Sequence, residues 1–173
     1  MPTYTVFLSS TFADFAAERV KLAEVLPFVG VHVALAEREG DRGKKLLDTL
    51  KDLIDNSDMV VLLIGSRAGT KSETGQCWTK NEVDHAFAKG KRVFAYIREV
   101  PPELLLLTDQ HKDADLEVIS LVQAAEARLA LIPRYWLGEC CKLTAMVIRD
   151  VTRCIEDLKA ADAQKSYDDS FVR

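Results

Sequence analysis

Trp78 and Glu82 stand four residues apart in the stretch GQCWTKNEVDHAFAKGKRVFAYI, from Gly75 to Ile97. Residues at i and i+4 share one face of a helix, so this spacing sets an indole beside a carboxylate. Val83, Ala86 and Phe87 form the adjacent apolar stripe, which places Glu82 on the border between core and surface. A carboxylate so placed can stabilise positive charge developing on a substrate. It can equally be a solvated first-turn glutamate, favoured by the positive end of the helix.

Two other stretches carry groups suited to an anion. In FLSSTFADFAAER, Ser9, Ser10 and Thr11 end an apolar run and open a helical pattern. Hydroxyls and free amides then gather at a positive helix end, which can hold a phosphate. Simple N-capping by Ser10 or Thr11 accounts for the same residues. In GSRAGTKSETGQCW the glycines permit tight turns, Ser66 follows the first of them, and Arg67 could meet an anion bidentately. Neither GxGxxG nor GxxxxGK[ST] occurs, so dinucleotide-fingerprint and Walker-type phosphate binding are unsupported. A surface loop explains that stretch taken alone.

Other chemistries find no footing. There is no Ser-His-Asp arrangement, no HExxH and no cysteine–histidine site. His85, a turn beyond Glu82, has no nucleophile or metal partner near it in sequence. The four cysteines, Cys77, Cys140, Cys141 and Cys154, include no CxxC and no metal-ligand spacing with histidine, so no metal site is expected. Reduced thiols are the plain reading, with a redox switch at Cys140–Cys141 as the alternative.

The elements that must position these groups follow from apolar runs. YTVFLS (4–9), VHVALA (31–36), MVVLLI (59–64), RVFAYI (92–97) and RLALI (128–132) are continuous, as strands buried on both faces should be. Helical spacing fills most of the intervals. One stripe runs from residue 12 to 26 and is closed by Pro27. Another runs through Leu46, Leu50, Leu53 and Ile54, a third covers 114–127, and a terminal helix covers roughly 139–161. Alternation of this kind predicts βαβ units. The expected architecture is α/β: a flavodoxin-like, doubly wound, five-stranded parallel sheet in order 2-1-3-4-5 with a C-terminal helix. That order has a topological switch between strands one and three, where ligands bind beyond the carboxyl ends. The loops there are Ser9–Phe12 and Gly65–Gly69, and the helix bearing Glu82 leaves the second. Residues 1–161 read as one domain and 162–173 as a polar, frayed tail.

Composition narrows the partners. The chain has 173 residues, 48% hydrophobic and 29% charged, with a net charge of −4. No basic footprint for nucleic acid is present, and no apolar run approaches the ~20 residues that span a bilayer. The start, MPTYTVFLSS, lacks a basic n-region, so a cytoplasmic protein is expected.

Taken together, VFLSSTFADFAAER, NSDMVVLLIGSRAG and CWTKNEVDHAFAKGKRVFAYI resemble the Toll/interleukin-1 receptor (TIR) superfamily. The opening SST-F-x-D-x-x-x-E-R is most similar to its bacterial, anti-phage branch. The resemblance covers residues 4 to about 97. It implies that Glu82, in the W-x-x-x-E element, is the catalytic glutamate of an enzyme cleaving NAD+. It implies that Ser9, Ser10 and Phe12 line the nucleotide site. With Thr11, Ser66, Arg67 and Trp78 they form the expected substrate-binding set. EREGDRGKK matches the family's regulatory loop only loosely, which leaves Arg38 and Arg42 as weak candidates. NAD+ would be substrate rather than cofactor, and the product ADP-ribose or a cyclised form acting as a signal. The family also implies self-association, and a separate sensor or effector protein is expected because none is fused here. Two alternatives stand beside this reading: a nucleoside 2-deoxyribosyltransferase-like enzyme, and a non-enzymatic TIR adaptor acting by protein–protein contact.

Overall fold

The computed structural model describes residues 4–36, 44–66, 71, 75–99 and 112–171. Its strands are β1 (Tyr4–Ser10), β2 (Val31–Ala34), β3 (Met59–Ile64), β4 (Arg92–Glu99) and β5 (Arg134–Trp136). Its helices are α1 (Phe12–Val25), α2 (Lys44–Asp55), α3 (Trp78–Ala88), α4 (Lys112–Glu126) and α5 (Cys140–Phe171). The strands form one five-stranded sheet in order β2-β1-β3-β4-β5. Every pairing is parallel, as the expected doubly wound architecture requires.

The continuous apolar runs make this sheet because alternate side chains enter two separate cores. Val6, Leu8, Met59, Val61, Leu63 and Tyr96 point to one face, where they pack with Phe15, Leu22 and the α5 residues Leu143, Val147 and Val151. Phe7, Val60, Leu62, Ile64, Val93 and Ala95 point to the other, against Leu50, Ile54, Val83, Ala86 and Leu121 of α2, α3 and α4. All six residues of β3, the central strand, are buried. After α1, a 3-10 turn over Leu26–Val29 with Pro27 in its first positions and Gly30 at φ 85° swings the chain into β2. Only a residue that tolerates positive φ fits that turn without strain.

Two boundaries differ most from the pattern reading. The fifth strand lies at Arg134–Trp136, not at 128–132. The amides of Arg128 and Leu129 bond to the Ala125 carbonyl at 3.0 and 2.9 Å, which ties the start of RLALI to the end of α4. Pro133 then has no N–H to give a ladder, and β5 pairs only with Ile97, Arg98 and Glu99. The terminal helix continues past residue 161 to Phe171, with residues 159–168 exposed.

Candidate active site

The carboxyl ends of β1 and β3 sit side by side, with Ser9 opposite Leu62 and Ser10 opposite Leu63. α1 leaves the first and α3 faces both from the other side of the sheet. Here the Ser9 hydroxyl donates to Glu82 Oε2 at 2.5 Å across a buried interface. Ser9 is 1% exposed and Glu82 9%. A hydroxyl-to-carboxylate bond of this length is in the charge-assisted range and fixes the acceptor's orientation. Two residues separated by 73 positions thus meet at the switch point. Trp78, the first residue of α3, is half-buried and packs beside the α2–α3 core. Ser66 follows β3 at the same end and is half-buried.

The serine-rich opening does not work by simple capping. Thr11 holds the N-cap position with extended backbone, yet its side chain makes no cap bond. Its Oγ1 is buried without a partner among the described residues. The Ser10 hydroxyl instead accepts from Arg19 Nη1 at 2.6 Å, and the same nitrogen reaches the Leu8 carbonyl at 3.3 Å. Arg19 therefore clamps the end of β1 from about two turns along α1. Phe12 opens α1, but its side chain lies outside the described set. Arg67, Arg38 and Arg42 lie outside the described residues altogether.

A second polar layer, which pattern reading left without a role, lies between the end of β4 and α1. Arg98, near the end of β4, donates from Nη1 to the Asp14 carbonyl at 2.5 Å and to Glu18 Oε1 at 3.1 Å. Its guanidinium lies 4.3 Å from the centre of the Phe15 ring. Both side chains of the Arg98–Glu18 pair are almost wholly buried, 7% and 10% exposed. α1 departs from helical geometry at Phe15, the residue under that guanidinium. Gly65 completes the contact: a Cβ there would lie 2.8 Å from Asp14 Oδ2 and 2.9 Å from the Phe15 ring. Asp14, Glu18 and Arg19 are the D, E and R of the SST-F-x-D-x-x-x-E-R stretch, so that motif encodes a clamp as well as a loop. A partial signal was in the sequence, since Glu18 falls on the apolar stripe of α1 and a buried carboxylate needs a cation. Its position on β4 was not.

None of the cysteines forms a disulfide. Cys77 is buried at the start of α3, and burial pushes its thiol above the usual range, which keeps it protonated and a poor nucleophile. Among the described residues no group of His, Cys, Asp or Glu is placed to hold a metal ion, and no helix is long and apolar enough to cross a membrane.

The fold is that of a TIR-like domain. A search of solved structures matches the TIR domains in "Structure of the activated Roq1 resistosome directly recognizing the pathogen effector XopQ", with TM-score 0.54 and 19% identity over 86% of this chain and 99% of that one. It also matches a 2-desoxiribosyltransferase from Leishmania mexicana, with TM-score 0.45 and 15% identity over 64% of this chain and 75% of that one. No curated protein matches. Residues 5–131 match the family model described as "Domain of unknown function (DUF4062)", and the chain belongs to that family.

Proposed function

We propose that this protein is a TIR-like NAD+ glycohydrolase or cyclase in which Glu82 is the catalytic residue. The observation that carries the reading is the buried Ser9–Glu82 contact at the topological switch point. It sets one oriented carboxylate where a fold of this class binds its ligand. In NAD+ the nicotinamide is a cationic leaving group. When its C1′–N1 bond breaks, the ring takes the bonding pair and departs neutral, with no proton needed. What remains is an oxocarbenium-like ribose, and one held carboxylate can stabilise it. Water then adds to C1′ and loses a proton to give ADP-ribose, or a nucleophile of the same molecule closes a ring. An uncharged base would need a second acidic group to protonate it on departure, so a single carboxylate suits NAD+ better.

Within this reading Ser9 orients Glu82, while Ser10 is held by Arg19 and shapes the end of β1. Thr11, Phe12, Ser66, Arg67 and Trp78 supply the rest of the substrate surface. The site is completed by self-association, a separate chain triggers the enzyme or reads its product, and the setting is bacterial anti-phage immunity in the cytoplasm.

The test is incubation with NAD+, nicotinamide release being read by chromatography. Wild type should release nicotinamide, with a rate that rises faster than linearly with protein concentration. Glu82→Gln keeps the shape and can still accept from Ser9, yet should lose about 100-fold or more in rate. Its melting temperature should stay near that of wild type, and Glu24→Gln, on the exposed side of α1, should remain active. Equal rates for wild type and Glu82→Gln would remove Glu82 from the mechanism. Base exchange on free nucleosides without NAD+ cleavage would favour the deoxyribosyltransferase alternative, and inactivity on both would favour the adaptor.

A further inference from the structure

The short β5 leaves a groove at the sheet edge, on the opposite side of β4 from β3. A parallel fifth strand in the observed register would bring residues 129–133 alongside Arg92–Tyr96, since Ile97 pairs with Arg134. That segment is instead anchored to α4 through Ala125. Between it, β4 and α5 lies a cavity of about 1170 Å³. Its floor is apolar, with Val93, Ala95, Leu129 and Pro133, while Leu131 stands at the rim 77% exposed.

The charge around this groove runs against that of the molecule. Five cationic side chains line it, Lys91, Arg92, Arg128, Arg149 and Arg153, against three carboxylates, in a chain of net charge −4. Two cations meet carboxylates: Arg149 bonds Asp150 at 2.7 Å, and Arg92 lies 3.8 Å from Asp157. The other three meet no carboxylate at ion-pair distance among the described residues. Lys91 donates to the Asp55 and Ser57 carbonyls, Arg128 to the Ala124 carbonyl while resting over Phe87, and Arg153 has no ion-pair partner among the described residues. The cavity is also larger than the ~300–1,000 Å³ usual for a small-molecule pocket.

From this charge complementarity we infer that the groove docks an acidic segment of a separate protein chain, with an apolar anchor seated against Leu131 and the floor. A cationic rim around an apolar floor steers and orients such a segment, and an exposed leucine at the rim gives the anchor its contact. A small anion would use the cations and leave the floor idle. A second copy of this chain would bring a surface of net negative charge but must also show concentration-dependent assembly. The inference does not depend on NAD+ cleavage.

The experiment is fluorescence anisotropy of the full chain with a labelled twelve-residue peptide of glutamates alternating with leucines. Controls are its glutamine counterpart and inorganic tripolyphosphate as competitor. The acidic peptide should bind, and the glutamine peptide should bind at least ~10-fold more weakly. Raising salt from about 0.05 to 0.5 M should weaken the complex, because exposed charges are screened. Arg149→Glu with Arg153→Glu should weaken binding ~10-fold or more with an unchanged thermal melt, and Leu131→Ser should weaken it several-fold with its charge pattern intact. No binding, or binding indifferent to the arginine reversals, overturns the proposal. So does full displacement by tripolyphosphate with no effect of Leu131→Ser, which marks a plain anion site. Wild-type self-association abolished by the arginine reversals would make a second copy the occupant and overturn it too.

Discussion

The two ends of β4 meet opposite fates. At its carboxyl end Arg98 is buried against Glu18, the Asp14 carbonyl and the Phe15 ring, and β5 pairs alongside. Along its amino half no described strand pairs on the outer side, and Arg92 at its start points into an open, cation-lined groove. The physical demand is the same at both ends, because polar groups taken from water need partners. At the carboxyl end the chain supplies those partners itself and so fixes the start of α1 against the sheet. At the amino end the partners are longer-range and more exposed: Arg92 reaches the Cys154 carbonyl at 3.4 Å and Asp157 at 3.8 Å, with its side chain 41% exposed. The buried clamp and the proposed docking groove therefore lie on one strand, with Arg98 and Arg92 about 20 Å apart at the usual strand rise.

The sharpest way to break this comparison is to remove Arg98. Arg98→Met keeps most of the length but leaves the Glu18 carboxylate buried without its cation, and breaking a buried pair in this way costs about 3–5 kcal/mol. Urea denaturation should show that loss. Adding Glu18→Gln should recover part of it, since no uncompensated charge then remains inside. An Arg98→Met protein as stable as wild type would mean that this end of β4 is not locked by the pair.

A smaller effect is expected at Gly65. Its backbone is not in the left-handed region, so the constraint is space alone: an added Cβ meets Asp14 and the Phe15 ring at under 3 Å. Phe15 is completely buried and cannot swing aside. Gly65→Ala should therefore cost about 1–3 kcal/mol, as overpacking does, and should slow NAD+ cleavage by shifting α1 against the end of β3. Gly90→Ala is a useful contrast, because there the penalty comes from φ 66° with nothing in the way of the Cβ. It should cost stability and spare activity.

How much of this was legible in the sequence differs along the same strand. β1, β3 and β4 could be read because continuous apolar runs have few other uses in a short segment. The Trp78–Glu82 spacing and the Ser9–Ser10 loop could each be read locally. Their meeting depends on sheet order, which placed both at the switch point, although no local pattern shows which hydroxyl meets the carboxylate. The Arg98 clamp was missed because a charge at the end of an apolar run looks like a strand terminus, and only the fold brings Glu18 over it. β5 was misplaced for a related reason. RLALI is more apolar than RYW, but an edge strand needs only one inward residue, here Tyr135 at 1% exposure. The helix-end bonds to Ala125 and the missing amide of Pro133 outweigh local apolarity.

The smallest effect is expected where a polar cluster is satisfied at the surface instead of inside. Asp55, at the end of α2, accepts from Lys89 Nζ and meets His85 Nε2, each at 2.8 Å, tying α2 to α3 one to two turns beyond Glu82. Lys89 above all, with help from His85, holds the Asp55 carboxyl below its ordinary value of 3.8. The Asp55 carboxylate and the Lys89 ammonium are open to solvent, so the pair should contribute little. The sign is nevertheless fixed. A carboxyl whose folded-state pKa is depressed contributes stability above its unfolded value, and that contribution fades as pH falls below 3.8 through the folded value. Asp55→Asn should thus melt slightly below wild type at neutral pH, and the gap should close at the acid end of a melting series and at high salt. Nicotinamide release should be unchanged throughout. If Asp55→Asn instead cost as much as Arg98→Met, burial would not be what separates a clamp from a surface contact in this protein, and the contrast between the two ends of β4 would lose its physical basis.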